Sequence, residues 1–362
     1  MMKKPELDGN DRPMMKALVY HGPHHMALED HPKPTIQQPT DAIVRITTTT
    51  ICGTDLHILK GDISNIEDGR VLGHEGVGIV EEIGTNVLEF HEGDKVLISL
   101  ITSCGRCSFC KKAMYSHCIK GGWLLGNSID GTQAEYVRVP LADNGLYRLP
   151  PDVDDDAAVM LSCILPTGLE CGVLNGQVKP GDVVAIVGAG PVGLAALLAA
   201  QLYSPSEIMV IDLDDNRLEV ARSFGATQVV NSSDGKAAEK IMALTQGAGV
   251  DVAIEAVGLS ATFDICQSII GLGGRIANVG VHGKSVELHI EKLWASNMTL
   301  ATRLVDAGTT SLLLKLVRSG KIDAKRLVSH RFRLLEIMKA YNAFENASKE
   351  RALKVLIKNV DE

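Results

Sequence analysis

The sequence predicts an α/β protein of two domains, one β-rich and one built on a doubly wound parallel sheet. Three observations carry this. The first half holds short runs rich in Val, Ile and Thr, broken by Gly, Asp and Pro. From Asp182 on, apolar strand-like runs alternate with helical ones, which implies a parallel sheet covered on both faces. A G-x-G-x-x-G loop joins the first of those strands to its helix.

The elements follow in order. Residues 1–13 are polar and lack the apolar stretch of a secretion signal, so they read as a disordered extension. "MMKALVY", "AIVRITTTTI", "GVGIVEEIG", "DKVLISLI" and "AEYVRVP" read as strands of a partly open barrel or paired sheets. "AAVMLSCILPTGLECGVL" has the length and apolar periodicity of a helix. The alternation then runs through strand "DVVAIVG", helix "PVGLAALLAAQLY", strand "EIMVID" and helix "NRLEVARSFG". It continues with "TQVVN", a helix over "KAAEKIMALTQ", strand "VDVAIEAVG", a helix near "TFDICQSII" and strand "GRIANVG". From Asp306 the pattern breaks. Two helical segments and the strand "RALKVLIKN" are expected to pack back on the first domain. The expected division is 14–166 with 306–362, and 167–305.

Composition narrows the function. The chain has 362 residues, 45% hydrophobic and 22% charged, as in an ordinary globular protein. A net charge of −8 disfavours nucleic acid or an anionic membrane as partner. Aromatic residues are only 4%, too few for base-stacking platforms. No apolar run reaches the ~18 residues of a membrane span. Eight cysteines without an export signal suggest a reducing, cytoplasmic setting, where thiols stay free or bind metal.

In "VVAIVGAGPVGLAAL", Gly188 permits the tight turn. Gly190 lets the backbone approach a pyrophosphate, and Gly193 lets helix and strand pack closely. The helix N-terminus offers free N–H groups and a positive dipole end to phosphates. Asp212 ends the next strand, where a carboxylate accepts from ribose hydroxyls and repels a 2′-phosphate. That favours NAD over NADP. The alternative for Asp212 is a cap on the helix starting near Asn216, or a carboxylate that is simply solvated.

Cys104, Cys107, Cys110 and Cys118 follow C-x2-C-x2-C-x7-C. Such spacings let one loop wrap four thiolates around a tetrahedral ion at about 2.3 Å. Disulfides between such near neighbours are geometrically awkward. Four sulfurs close the coordination sphere, so this reads as a structural zinc site, and catalysis needs another. "ICGTDLH" supplies Cys52, Thr54, Asp55 and His57; "GHEGVGIVEEIGTNV" supplies His74 and Glu75; "SCILPT" supplies Cys163. Singly, each has a structural reading, since a buried Cys is usually a small hydrophobe.

Together these motifs resemble the zinc-dependent alcohol dehydrogenases of the medium-chain dehydrogenase/reductase superfamily. The resemblance runs from Met15 to the end, and rests on G-H-E with Gly78 and Gly84, the four-cysteine lobe and the glycine loop in that order. It implies a GroES-like catalytic domain and a Rossmann cofactor domain, with the active cleft between them. Cys52, His74 and Cys163 are implied ligands of a catalytic zinc, whose fourth position stays open. Alcohol dehydrogenases are themselves the standard example of that Cys2His set. The third ligand varies in the family between Cys and Asp. Glu75 is similar to a glutamate lying close behind the zinc, and Asp55 to the carboxylate that orients the His ligand.

The resemblance also implies that Thr54 contacts the substrate oxygen and that His57 ends a proton relay; the alternative for His57 is a surface histidine. Zinc would stabilise an alkoxide, which is a good hydride donor, and the hydride would pass to NAD. Gly53 departs from members with a cation there, which puts nucleotide affinity and product release in doubt. Pro191, Val192, Arg217, Val257 and Val281 are implied cofactor contacts, and Lys354 a phosphate contact. Trp123, Leu124 and Leu304, with Val281, are implied to line the substrate pocket. The expected protein is an NAD-dependent enzyme with two zinc ions per chain, a homo-oligomer and more a tetramer than a dimer. It would interconvert an alcohol and its aldehyde or ketone. A polyol or threonine dehydrogenase of the same superfamily is the second reading. A non-catalytic NAD-binding protein on this scaffold is the third.

Overall fold

Four consecutive threonines, Thr47 to Thr50, sit in the strand Ala42–Thr50, and all four are buried. Buried hydroxyls need partners. Here Thr47 donates to the Val77 carbonyl (3.1 Å) and Thr49 to the Glu75 carbonyl (2.7 Å). The strand is therefore a clamp for the segment around residues 75–77, as well as a sheet member.

These features come from a computed structural model that describes residues 13–63 and 65–359. The expected extension lies outside those residues except for Pro13. Its carbonyl accepts from Lys33 N at 2.8 Å, so Pro13 itself belongs to the folded structure.

The chain divides into two units: Met1–Cys163 with Asp306–Glu362, and Ile164–Val305. The first crossing thus falls three residues before the expected one, and Cys163 closes the first unit. That unit holds a mixed seven-stranded sheet. Its order is Val328–Arg333, Lys354–Lys358, Ala42–Thr50, Gly76–Ile83, Lys95–Ile98, Leu146–Arg148, and Tyr136–Val139 also pairs with Ala42–Thr50. A second sheet orders Met26–Pro32, Met14–Tyr20 and Arg70–Val71. No closed barrel forms among the described residues. The tail strand pairs antiparallel with the threonine strand, Leu356 opposite Thr50. Two strands carry no sequence signal, Met26–Pro32 and Val328–Arg333. Both are edge strands with charged residues and little alternation, as exposed edges often are.

The second unit is a six-stranded parallel sheet. Its order is Gln228–Asn231, Glu207–Asp212, Val183–Val187, Val250–Glu255, Ile270–Asn278, Thr299–Thr302. Chain order reverses beside Val183–Val187, and ligands of such sheets bind at the carboxyl ends of the strands there. Helices Pro191–Ala200, Asp215–Ser223, Ala237–Leu244 and Ser260–Ile269 make the crossovers.

The long helix expected over "AAVMLSCILPTGLECGVL" is broken instead. It runs as Asp155–Ala158, a tighter turn Val159–Leu161, Ile164–Thr167 and a wide turn Gly168–Leu174. Pro166 lacks the N–H that would bond back to residue 162. The break leaves Ser162 and Cys163 turned into the first unit, where Ser162 Oγ accepts from Gly76 N at 3.1 Å. Among the described residues no single helix is long and apolar enough to cross a membrane.

Candidate metal and cofactor sites

Three distant stretches meet in the first unit. Cys52 precedes the helix Gly53–Lys60, which Gly61 ends in the left-handed conformation. His74 and Glu75 lead into the strand Gly76–Ile83, and the Glu75 carbonyl is held by the Thr49 and Thr132 hydroxyls (2.7 and 2.8 Å). Cys163 follows Ser162 at the helix break. Ligand atoms of Cys52, His74, Glu75 and Cys163 all lie within 4.8 Å of one another, and all four residues are buried. Two sulfurs, an imidazole nitrogen and a carboxylate are a zinc-type donor set.

The surroundings orient these donors. His74 Nδ1 stands 3.7 Å from Asp55 Oδ1, and neither atom has a hydrogen-bond partner among the described residues. The other Asp55 oxygen accepts from Cys52 N at 2.8 Å and from Gln133 Nε2 at 3.1 Å. Trp123 meets the His74 ring edge-on, with centroids 6.0 Å apart.

Electrostatics reflect crowded acids. Burial opposes the His74 imidazolium, but Cys52, Asp55 and Glu75 outweigh it and raise its pKa to about 9. Burial raises Asp55 to about 6, against the pull of His74. The Cys52 and Cys163 thiols share a hydrogen bond that lowers the first well below the usual range and raises the second. Such a set holds protons that a cation would displace.

Lys354 requires a correction. Expected to touch a cofactor phosphate, it is 1% exposed. Its ammonium contacts Thr50 Oγ1 (2.8 Å), the Ile51 carbonyl (3.0 Å) and both Glu75 oxygens (2.8 and 2.7 Å). With its three protons so engaged, Lys354 holds Glu75 rather than a phosphate. Sequence reasoning missed this pairing because 279 positions separate the two residues. The available signal was a lysine inside the apolar run "ALKVLI", since buried charges are rarely left unpaired.

Thr54 Oγ1 lies 3.7 Å from Cys52 Sγ, beside the cluster. His57, half-buried in the last turn of the same helix, bonds Asp62 Oδ2 through Nδ1 at 2.8 Å. At Gly53 a Cβ would meet nothing within 4 Å, so packing does not forbid a side chain there.

The second cluster is local. Ligand atoms of Cys104, Cys107, Cys110 and Cys118 also lie within 4.8 Å of one another, and all four cysteines are free thiols. Backbone N–H groups of Cys104 and Cys110 point at the sulfurs of Cys118 and Cys107 (3.2 and 3.5 Å). The Cys110 and Ile119 backbone N–H groups bring the Cys107 pKa down to about 6; burial pushes Cys110 up to about 12. Asp306 anchors this lobe by accepting from Ser116 N and Oγ at 2.8 and 2.7 Å.

In the second unit Gly188 has φ +108°, and a Cβ at Gly193 would sit 1.8 Å from the Gly188 carbonyl. Gly193 therefore admits the loop itself, more than the strand. A Cβ at Gly190 would meet nothing within 4 Å, so open space lies over the start of helix Pro191–Ala200. That is a cradle a phosphate could fill. Pro191 opens the helix, followed by Val192. Asp212 Oδ2 accepts from Ala189 N (2.7 Å) and Oδ1 from Asp214 N (3.0 Å), bracing the loop. The helix cap is Asp214, which accepts from Asn216 N at 2.8 Å, so the alternative capping role for Asp212 fails. Arg217 is partly buried, with no hydrogen bond to Nε among the described residues. Val257 packs over Gly188, where a Cβ would come within 2.4 Å of it. Val281 and Leu304 are exposed in the second unit, whereas Trp123 and Leu124 are half-buried in the first.

Two family models match the chain. Residues 38–151 match the alcohol dehydrogenase GroES-like domain, and 191–318 the zinc-binding dehydrogenase domain. An alcohol dehydrogenase of Cupriavidus necator is 37% identical over 370 residues, covering 95% of this chain and 99% of that protein. An NADP-dependent isopropanol dehydrogenase of Thermoanaerobacter brockii is 34% identical, covering 88% of this chain and 93% of its own. The solved zinc-dependent alcohol dehydrogenase 2 of Streptococcus pneumonia, in apo form, is 57% identical. It superimposes with a TM-score of 0.92 over 96% of this chain and 99% of that one.

Proposed function

This chain belongs to the zinc-type alcohol dehydrogenases of the medium-chain dehydrogenase/reductase superfamily, and on that premise we propose which of its residues carry the reaction. The reaction interconverts an alcohol and its aldehyde or ketone, using zinc and a nicotinamide cofactor. The observation that supports our assignment is the convergence of Cys52, His74, Glu75 and Cys163 within 4.8 Å.

Cys52, His74 and Cys163 would hold a zinc ion, and Lys354 keeps the Glu75 carboxylate neutralised beside them. When bound, zinc supplies Lewis acidity that makes an alcohol hydroxyl easier to deprotonate. A bound nicotinamide would supply the hydride acceptor or donor. Thr54 receives the hydrogen bond of the substrate hydroxyl and passes its proton on. His57 carries that proton to solvent, its ring held by Asp62 (2.8 Å). The loop of Gly188, Gly190 and Gly193 cradles the pyrophosphate, with Pro191, Val192, Arg217, Val257 and Val281 around the cofactor. Asp212 still has lone pairs for ribose hydroxyls, and its charge disfavours a 2′-phosphate, so the cofactor is NAD. Trp123 and Leu124 line the first unit's side of the place for a small alcohol or carbonyl substrate. Cys104, Cys107, Cys110 and Cys118 would hold a second, structural zinc, giving two per chain. The assembly is a homotetramer in the cytoplasm, by analogy with microbial members.

Metal analysis with a reduction screen of NAD and NADP over primary, secondary and polyol alcohols and threonine tests this. Two zinc ions per chain and a preference for NAD are expected; one zinc, or a preference for NADP, overturns the assignment. Asp212→Gly should weaken NAD and narrow its advantage over NADP.

A further inference from the structure

Behind Asp55 lies a buried polar pair that no step above uses. Gln133 is 0% exposed and Tyr341 1%, within an apolar core that includes Leu18, Ile51, Leu72 and Val355. Tyr341, on helix Ile337–Glu345, donates its hydroxyl proton to Gln133 Oε1 at 2.8 Å. Gln133 Nε2 donates to the Thr50 carbonyl and to Asp55 Oδ2, both at 3.1 Å. Asp55 Oδ1 then faces His74 Nδ1. The backbone draws the same parts together. Gln133 N donates to the Leu72 carbonyl at 2.9 Å, and Gly73, with φ +94°, lies under the glutamine. A Cβ on Gly73 would come within 2.6 Å of Gln133 Cγ, so the glutamine packs against the peptide that leads into His74.

We propose that Tyr341 and Gln133 are positioning residues for the first cluster, acting through Asp55 to fix how His74 is presented to a metal. Hydrogen-bond direction carries this. A glutamine amide has two donors on one side and an acceptor on the other. Flipped, its carbonyl would face the Thr50 carbonyl and the Asp55 carboxylate, acceptor against acceptor. Those two acceptors fix the amide's orientation, and the Tyr341 hydroxyl completes the set by donating to Oε1. Asp55 Oδ2 then receives two N–H donors, from Cys52 and Gln133, and Oδ1 is left aimed at His74. A carboxylate at Nδ1 keeps that nitrogen protonated and turns Nε2 toward the cluster. Packing alone does not explain the pair. Leucine and phenylalanine would fill the same volume without desolvating an amide and a phenol.

This inference rests on reading Cys52, His74 and Cys163 as metal ligands. The test uses the full chain loaded with cobalt(II) and follows release to a chelator. A cobalt ion held by four sulfurs absorbs differently from one held by two sulfurs and a nitrogen, so the two sites can be followed separately. Gln133→Met should speed release from the Cys52–His74–Cys163 site by about 10-fold and shift its thiolate-to-cobalt band. Tyr341→Phe, which keeps the ring, should do so less, and the double variant should match Gln133→Met alone. Release from the four-cysteine site should be unchanged in all three. Wild-type rates at the first site in both single variants overturn the proposal. So does equal acceleration at both sites, which would mean general loosening. Should wild-type protein take cobalt only at the four cysteines, the metal-site reading itself falls and this inference with it.

Discussion

The two cysteine-bearing clusters of the first unit are built in opposite ways. The four-sulfur cluster spans fifteen consecutive residues, Cys104 to Cys118. Its immediate shell is local: two of its sulfurs accept N–H groups from the same loop. The other cluster gathers residues 52, 74, 75 and 163, then leans on Lys354, Gln133 and Tyr341. It is fully buried and crowded with acids, and one buried cation stands against them. One cluster is a property of a loop, while the other is a property of the whole unit. Each can therefore be disturbed with little effect on the other.

His74→Ala should separate them most sharply. Turnover should fall at least about 10³-fold, the equivalent of several kcal/mol of transition-state stabilisation. NAD should still bind, and the four-cysteine metal should stay. Near-normal activity in metal-depleted buffer would remove the catalytic role from this cluster.

Lys354→Met comes next. It leaves Glu75 buried without its counter-charge, which should destabilise the first unit by about 3–5 kcal/mol. The double variant with Glu75→Leu should recover much of that loss, as replaced buried pairs often do. Urea unfolding checks it, and no recovery would mean that Lys354 acts independently of Glu75.

Urea also sharpens the contrast without a mutation. In cobalt-loaded protein the signal of the mixed sulfur–nitrogen site should vanish at lower urea than the four-sulfur signal, because the first depends on distant segments staying together. Simultaneous loss would erase the distinction between local and assembled sites. The smallest effect is expected from Thr49→Val, which removes one of two hydroxyls on the Glu75 carbonyl. About 1 kcal/mol of stability should be lost, with the four-cysteine site untouched; a loss above ~3 kcal/mol would show that Thr132 cannot hold that carbonyl alone.

The same contrast explains what can be read in advance. Cys104, Cys107, Cys110 and Cys118 announce their chemistry because spacing fixes how near four sulfurs can come. Gly188, Gly190 and Gly193 do so because a tight turn needs them at fixed offsets. The single helix expected over residues 157–174 does not form, since periodicity registers apolar content but not how a proline breaks the run. Cys163 sits at that break, with its sulfur in the cluster of His74. Asp212 reads as a ligand residue, and its structural duty, bracing Ala189, leaves no trace in the pattern.

Sequence by itself determined the four-cysteine set, the glycine-rich loop and the alternation that makes a parallel sheet. These depend on covalent spacing and on short-range periodicity. Tertiary structure alone decided that Lys354 faces Glu75, that Tyr341 reaches Asp55 through Gln133, and that Asp214 rather than Asp212 caps its helix. Those outcomes depend on which polar groups are buried together. Burial is set by the packing of segments hundreds of residues apart, and a buried charge must take the partner that packing provides.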